Sequence, residues 1–83
     1  MNRKVFVASL SWNTDGNSLS KHFSQAGTVE EAVIVKDKET KRSRGFGFVT
    51  FASAEEANRA IKELDGSMLD GKTIKVNIAK ERV

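Results

Sequence analysis

Along this chain the spacing of apolar residues alternates between two and three-to-four, and each change marks an element. Residues 4–10 (Lys-Val-Phe-Val-Ala-Ser-Leu) are rich in apolar and β-branched side chains and predict a first strand, with Val5 and Val7 on one face and Lys4, Phe6 and Ala8 on the other. A loop over 11–16 follows. Thr14 is the candidate N-cap of a weak helix over 15–26, where Gly16, Asn17 and Ser18 lower the propensity but Leu19 and Phe23 stand i,i+4. Gly27 offers a stop. Residues 29–36 predict a second strand. Its phase is blurred because Ala32 to Val35 are all apolar; we place Ala32 and Ile34 inward.

A charged loop over 37–43 leads into a third strand at 44–51. Ser53 with Glu56 makes a capping box for a second helix over 54–64, whose Ala57, Ala60, Ile61 and Leu64 repeat at i, i+3, i+4, i+7. Asp65-Gly66 and Asp70-Gly71 mark turns around Met68 and Leu69. Residues 73–79 alternate Ile74, Val76 and Ile78 against Lys75, Asn77 and Ala79 and predict a fourth strand. The order β-α-β-β-α-β predicts an α+β, ferredoxin-like sandwich: one four-stranded antiparallel sheet with two helices on one face.

Two helices cover one side of such a sheet, and the other stays open. The third strand, Arg44-Gly45-Phe46-Gly47-Phe48-Val49-Thr50-Phe51, sorts by period two into a core set (Gly45, Gly47, Val49, Phe51) and an opposite set (Arg44, Phe46, Phe48, Thr50). The core has no use for two phenylalanines and a cation on the second face. Strands one and three pair centrally in this topology, so Phe6 joins Phe46 and Phe48 there. Flat rings beside cations on an open strand suit base stacking and phosphate contact.

With 83 residues and 39% hydrophobic content, the chain is expected to be a single domain over 1–83 with one core. It has no cysteine, which excludes disulfides and thiolate metal sites, and the lone His22 cannot build a metal site. We expect no catalytic residue, no metal and no cofactor. The glycine pattern of the third strand lacks the third glycine of a dinucleotide loop and the Gly-Lys-Ser/Thr end of a Walker loop. No apolar run reaches membrane-spanning length or resembles a signal-peptide core, so an intracellular protein with no membrane partner is expected.

Net charge is +3, from 14 Lys+Arg against 11 Asp+Glu, and its distribution matters more than its sum. Lys36, Lys38, Lys41, Arg42 and Arg44 face only Asp37 and Glu39 in segment 36–44. Arg3 and Lys4 precede the first apolar run, and Lys75, Lys80 and Arg82 lie in or after the last. Segment 55–65 is acidic, with Glu55, Glu56, Glu63 and Asp65 against Arg59 and Lys62. Such separation is the electrostatic footprint of a polyanion-binding surface.

These residues together resemble the RNA recognition motif family, over roughly residues 3–82. Arg44 to Phe51 fits the family's octapeptide at every position, and Val5 to Leu10 looks like its companion hexapeptide. The resemblance implies that Phe6 and Phe48 stack on successive bases, that Phe46 contacts sugar or base edges between them, and that Arg44 meets a phosphate. It also implies that Asn77, Ala79, Lys80 and Arg82 help to read base edges. Lys4, Lys41, Arg42 and Lys75 add charge for phosphate or base-edge contact. The expected partner is single-stranded RNA, with single-stranded DNA left open. The expected state is a monomer as an isolated domain, able to form part of a longer protein, in RNA processing, stability or translation control. The alternative is a protein–protein interaction module on the same fold.

Two positions depart from the family pattern. Ser9 stands where Asn is usual, and a local change is expected in the loop that follows; Lys41 stands where many members carry Gly, at a cost of about 1 kcal/mol if the backbone there needs positive φ. Elsewhere, Trp12 is expected to cap the end of a helix or the sheet, Met68 to be peripheral core, Glu55 and Glu56 to be first-turn charges, and Phe23 and Phe51 to be core.

Overall fold

The computed structural model describes residues 3–40 and 43–79, with Ser43 and Arg44 described along the backbone only. Its elements are β1 (Lys4–Ala8), α1 (Gly16–Phe23), β2 (Val29–Lys36), β3 (Ser43–Phe51), α2 (Ala54–Leu64), a hairpin of β4 (Met68–Leu69) and β5 (Lys72–Thr73), and β6 (Lys75–Ile78). The four long strands form one antiparallel sheet in the order β2-β3-β1-β6. This is the ferredoxin-like sandwich that the apolar spacing predicts, with β1 and β3 in the middle.

The core lies between one sheet face and both helices. Val5 and Val7 from β1, Val49 and Phe51 from β3 and Val76 from β6 meet Leu19 and Phe23 of α1 and Ala57, Ala60 and Leu64 of α2. Phe23 and Phe51 are fully buried, with ring centroids 6.3 Å apart. Ala32 and Ile34 of β2 pack against this cluster, as placed.

Local chemistry moves several boundaries. Asp15, not Thr14, caps α1: its carboxylate accepts the Ser18 N–H at 2.8 Å. Asp exceeds Thr as an N-cap and also gains from the helix dipole. The Ser18 backbone and side-chain hydrogen bonds hold its carboxyl below the usual carboxylate range. Thr14 is buried beside it, and its hydroxyl donates to Asp70 Oδ2 at 2.8 Å, tying the β1–α1 loop to the turn between β4 and β5. The first helix ends at Phe23, where Ser24 caps it.

Gly27 has a different duty from stopping that helix. A Cβ there would collide with Glu56, whose carboxylate accepts the Thr28 N–H. Ser53 still caps α2 by accepting the Glu56 N–H at 3.2 Å, so Glu56 serves both as a capping residue and as a clasp between α2 and the loop before β2. The fourth strand is shorter than its alternation suggests. Ile74 exchanges backbone hydrogen bonds with Gly66 and Ser67, and pairing with β1 runs from Lys75 to Ile78. Met68, expected as peripheral core, is 65% exposed because that hairpin turns it outward while Leu69 takes the buried position. Trp12 is 70% exposed and caps nothing; Ser11 and Thr14 are the buried anchors of its loop.

His22 is half-buried. The Ser67 hydroxyl donates to Leu64 O at 2.6 Å, so its oxygen is left to accept from His22 Nε2–H at 3.0 Å. Nδ1 is then the bare nitrogen, facing the Gln25 amide 3.4 Å away. Protonation would set a donor against a donor. Desolvation lowers the pKa of His22 below its ordinary 6.5, against an opposing pull from Asp70.

Phe51→Ala is expected to cost about 3–5 kcal/mol in chemical denaturation, through the void left against Phe23. A depressed histidine pKa makes the neutral ring the folded form. Its contribution is complete above pH 6.5 and declines as pH falls through the lowered folded-state value. Stability measured from pH 7 to 5 should therefore fall less steeply in His22→Gln than in the parent.

Candidate nucleic-acid interface

The sheet face away from the helices is a grid fixed by strand register. Val33 of β2 lies opposite Phe48 of β3, Phe48 opposite Phe6 of β1, and Phe6 opposite Asn77 of β6. The neighbouring row runs Glu31, Thr50, Lys4. On the other side Phe46 lies opposite Ala8, and Ala8 opposite Lys75. Phe6, Phe46 and Phe48 are each partly exposed. The Phe6 ring centroid is 5.5 Å from those of both Phe46 and Phe48, at interplanar angles of 46° and 55°. These spacings are those of mutually supporting tilted rings. The Lys4 ammonium stands 5.0 Å from the Phe48 centroid, a cation–π contact on the open face.

Two backbone devices shape this surface. Gly45 sits at φ +84° beside a register break between Ile34–Gly47 and Lys36–Ser43 pairing, and its carbonyl accepts the Leu10 N–H at 2.9 Å. Across from it, Ser9 takes the left-handed conformation at φ 61°, and the chain turns there out of β1. Gly47 is needed for another reason: a Cβ would run into the Val33 carbonyl of the adjacent strand. The neighbour that Gly47 admits is thus β2 itself.

The residues assigned from sequence fall into three groups. Phe6, Phe46, Phe48, Lys4, Lys75 and Asn77 share the open face, and Lys75 and Asn77 are exposed. Ala79 is only 6% exposed and its N–H is held by Lys4 O at 3.0 Å, so its side chain does not belong to the free surface. It follows β6, where alternation gives way to the pairing with Lys4. The side chain of Arg44, and Lys41, Arg42, Lys80 and Arg82, lie outside the described residues. The grid also contains Thr50, on this face as the period of the third strand predicts, and Glu31 and Val33 of β2, which were given no role from sequence; Val33 is 43% exposed beside Phe48. The register confirms the phase of β2 that places Ala32 and Ile34 inward and these two outward.

Among the described residues there is no cluster of side chains able to hold a metal ion, and no helix long and apolar enough to cross a membrane. The RNA recognition motif family profile matches residues 5–75. Glycine-rich RNA-binding protein 4, mitochondrial, of Arabidopsis thaliana is 54% identical over 82 residues, spanning 99% of this chain and 60% of that protein. The chloroplastic 28 kDa ribonucleoprotein of Spinacia oleracea is 51% identical over 79 residues, 95% of this chain and 34% of that one. This chain therefore spans well under two thirds of the length of these curated relatives. Among solved structures, an Sxl-lethal protein/RNA complex superposes with TM-score 0.91 at 30% identity, covering 100% of this chain and 50% of that one. RNA Binding Protein PG1 superposes with TM-score 0.90 at 36% identity over 98% of both.

The positive φ of Ser9 and Gly45 gives a paired expectation. Asn is enriched several-fold over other side chains in the left-handed region, which corresponds to about 0.6–1 kcal/mol. Ser9→Asn should raise the unfolding free energy by about that amount. Gly45→Ala has open space for its methyl group, so the backbone alone should set its loss, about 1–2 kcal/mol. Urea unfolding of both variants checks the signs.

Proposed function

Since the chain belongs to the RNA recognition motif family, we propose that it binds single-stranded RNA on the open sheet face, with two successive unpaired bases stacked on Phe6 and Phe48. The observation that carries this reading is the uncovered aromatic trio, three rings from two strands on the side opposite the helices, with the Phe6 ring 5.5 Å from each of the other two. Phe46 lies against the sugar or base edge between the two bases. Asn77, next to Phe6, offers an amide to a base edge. Lys4 and Lys75, on opposite sides of the ring row, supply charge for phosphates, and Arg44, Lys41, Arg42, Lys80 and Arg82 extend it. No residue is given a catalytic role.

The energies suffice. Each stacked base contributes about 1–3 kcal/mol, and phosphate contacts bring the sum toward the roughly −8 kcal/mol of micromolar binding. Stacking accepts any base, so a single domain of this kind is a modest reader of sequence. An intracellular role in RNA processing, stability or translation control fits relatives named as a mitochondrial RNA-binding protein and a chloroplastic ribonucleoprotein.

Phe6→Ala and Phe48→Ala should each weaken binding of short random RNA by about 1–3 kcal/mol, with unfolding free energy nearly unchanged. Affinity should fall by about 0.7 log units per log unit of salt for each phosphate contacted. Fluorescence anisotropy with matched RNA and DNA oligomers separates the two nucleic acids. Unaltered affinity in both variants would remove the sheet face as the site. Failure to bind any RNA pool, together with binding of a protein partner, would favour a protein-interaction module.

A further inference from the structure

On the helical side of the molecule, two side-chain hydrogen bonds brace the β4–β5 hairpin against the first helix. At one end His22 donates to the Ser67 hydroxyl at 3.0 Å; at the other, the Thr14 hydroxyl donates to Asp70 Oδ2 at 2.8 Å. Between these ties lies an open groove of about 430 Å³. Ser18, Lys21, His22 and Gln25 form one wall, at the i, i+3, i+4, i+7 spacing of a single helical face, and Leu69 and Asp70 form the other. The wall from Ser18 to Gln25 runs about 10 Å, the length of roughly three residues of extended chain. Most of the lining is apolar, since Leu69 makes the floor and the stems of Lys21 and Gln25 are hydrocarbon. The charge of the groove is one-sided. The first helix holds no carboxylate and ends in Lys21 and His22. Lys21 is exposed and has no ion pair among the described residues. Asp70 already accepts from Thr14 through one oxygen.

We propose that this groove docks a short extended segment of a partner protein in which an apolar side chain stands next to a carboxylate. The apolar side chain covers Leu69, and the carboxylate meets the Lys21 ammonium. The second oxygen of Asp70 accepts a backbone N–H of the segment. Because the two ties fix both walls beforehand, little ordering cost falls on the protein. A nucleic-acid strand does not suit the groove. Lys21 stands near the carboxylate of Asp70, where a phosphate backbone needs several cations together. The groove lies on the helical side and the aromatic trio on the other, so one chain can hold this partner and a ligand of the open face at once. The docking does not depend on what the aromatic trio binds.

The test is amide NMR of the whole 83-residue chain with acetyl-Gly-Ser-Leu-Glu-Gly amide and with the reversed sequence. One of the two, at millimolar concentration, should move the amides of Ser18, Lys21, His22, Gln25, Leu69 and Asp70 and leave those of Phe6, Phe46 and Phe48 in place. Exchanging the peptide's glutamate for lysine, or making Lys21→Glu in the protein, should each weaken binding about fivefold or more. Combining the two exchanges should recover part of the loss. Lys21→Glu should leave the urea midpoint and the affinity for oligouridylate close to those of the parent. Peptides that leave the groove amides unmoved, or that bind Lys21→Glu as well as the parent, overturn the inference. So does oligouridylate that moves these amides directly, which makes the groove an RNA contact. Dilution of the free chain that moves them also overturns it, since the occupant is then a second copy. None of these outcomes bears on the RNA-binding reading, which fails separately if oligouridylate moves no amide of the open face.

Discussion

The antiparallel pairing of β1 with β3, Phe6 opposite Phe48 and Val5 opposite Val49, is the interaction on which the rest of the molecule depends. It sends Val5, Val7, Val49 and Phe51 to the helices and three phenylalanines to the other side. A slip of one residue in either strand would reverse both faces of that strand at once, burying a ring and exposing a valine. Core and open aromatic face are therefore specified by a single register. The hydrophobic effect that selects the core also presents the rings.

Where β2 and β3 leave strict alternation, they do so beside the open aromatic face. The break after Val29 brings Glu31 to the open face, and the break around Gly45 lets β3 turn where β1 ends at Ser9. Both departures disrupt the ladder locally. Strained or interrupted backbone next to a binding surface is a common cost of aiming side chains. Elsewhere the molecule closes its loops tightly: Thr14 onto Asp70, Glu56 onto Thr28, Asp65 onto the Val76 N–H. Those clasps lie in the loops and turns that join the helices to the strands, and they leave the aromatic surface uncovered.

Element order, the two central strands, the core phenylalanines and the aromatic trio were all legible in the chain, because each rests on a period or a short motif that tertiary contacts do not alter. The inward placement of Ala32 and Ile34 also holds. What was not legible depends on partners remote in sequence. Gly27 looks like a helix stop until Glu56 is seen crossing it, and residues 73 and 74 look like the start of the fourth long strand until Thr73 pairs with Met68 and Gly66 and Ser67 take the hydrogen bonds of Ile74. Trp12 looks like a cap because tryptophan normally buries its area, and nothing local shows that Ser11 and Thr14 anchor the loop instead. A bulge has no reliable single-sequence signature, so the break after Val29 stayed hidden, although Ala32 and Ile34 inward already put Glu31 and Val33 outward.

The trio also behaves as one object. Phe6 is the shared neighbour of Phe46 and Phe48, each at 5.5 Å, and the Lys4 ammonium lies over the Phe48 ring. Truncating Phe6 removes a platform and also the lateral support of both remaining rings, so its effect on binding cannot be divided among separate bases. Phe48 is bounded differently, by Val33 on the edge strand and by the ammonium of Lys4. The cation lessens the cost of leaving that ring in water, so the edge of the aromatic face at Phe48 is held by β2 on one flank and by a first-strand side chain over the ring.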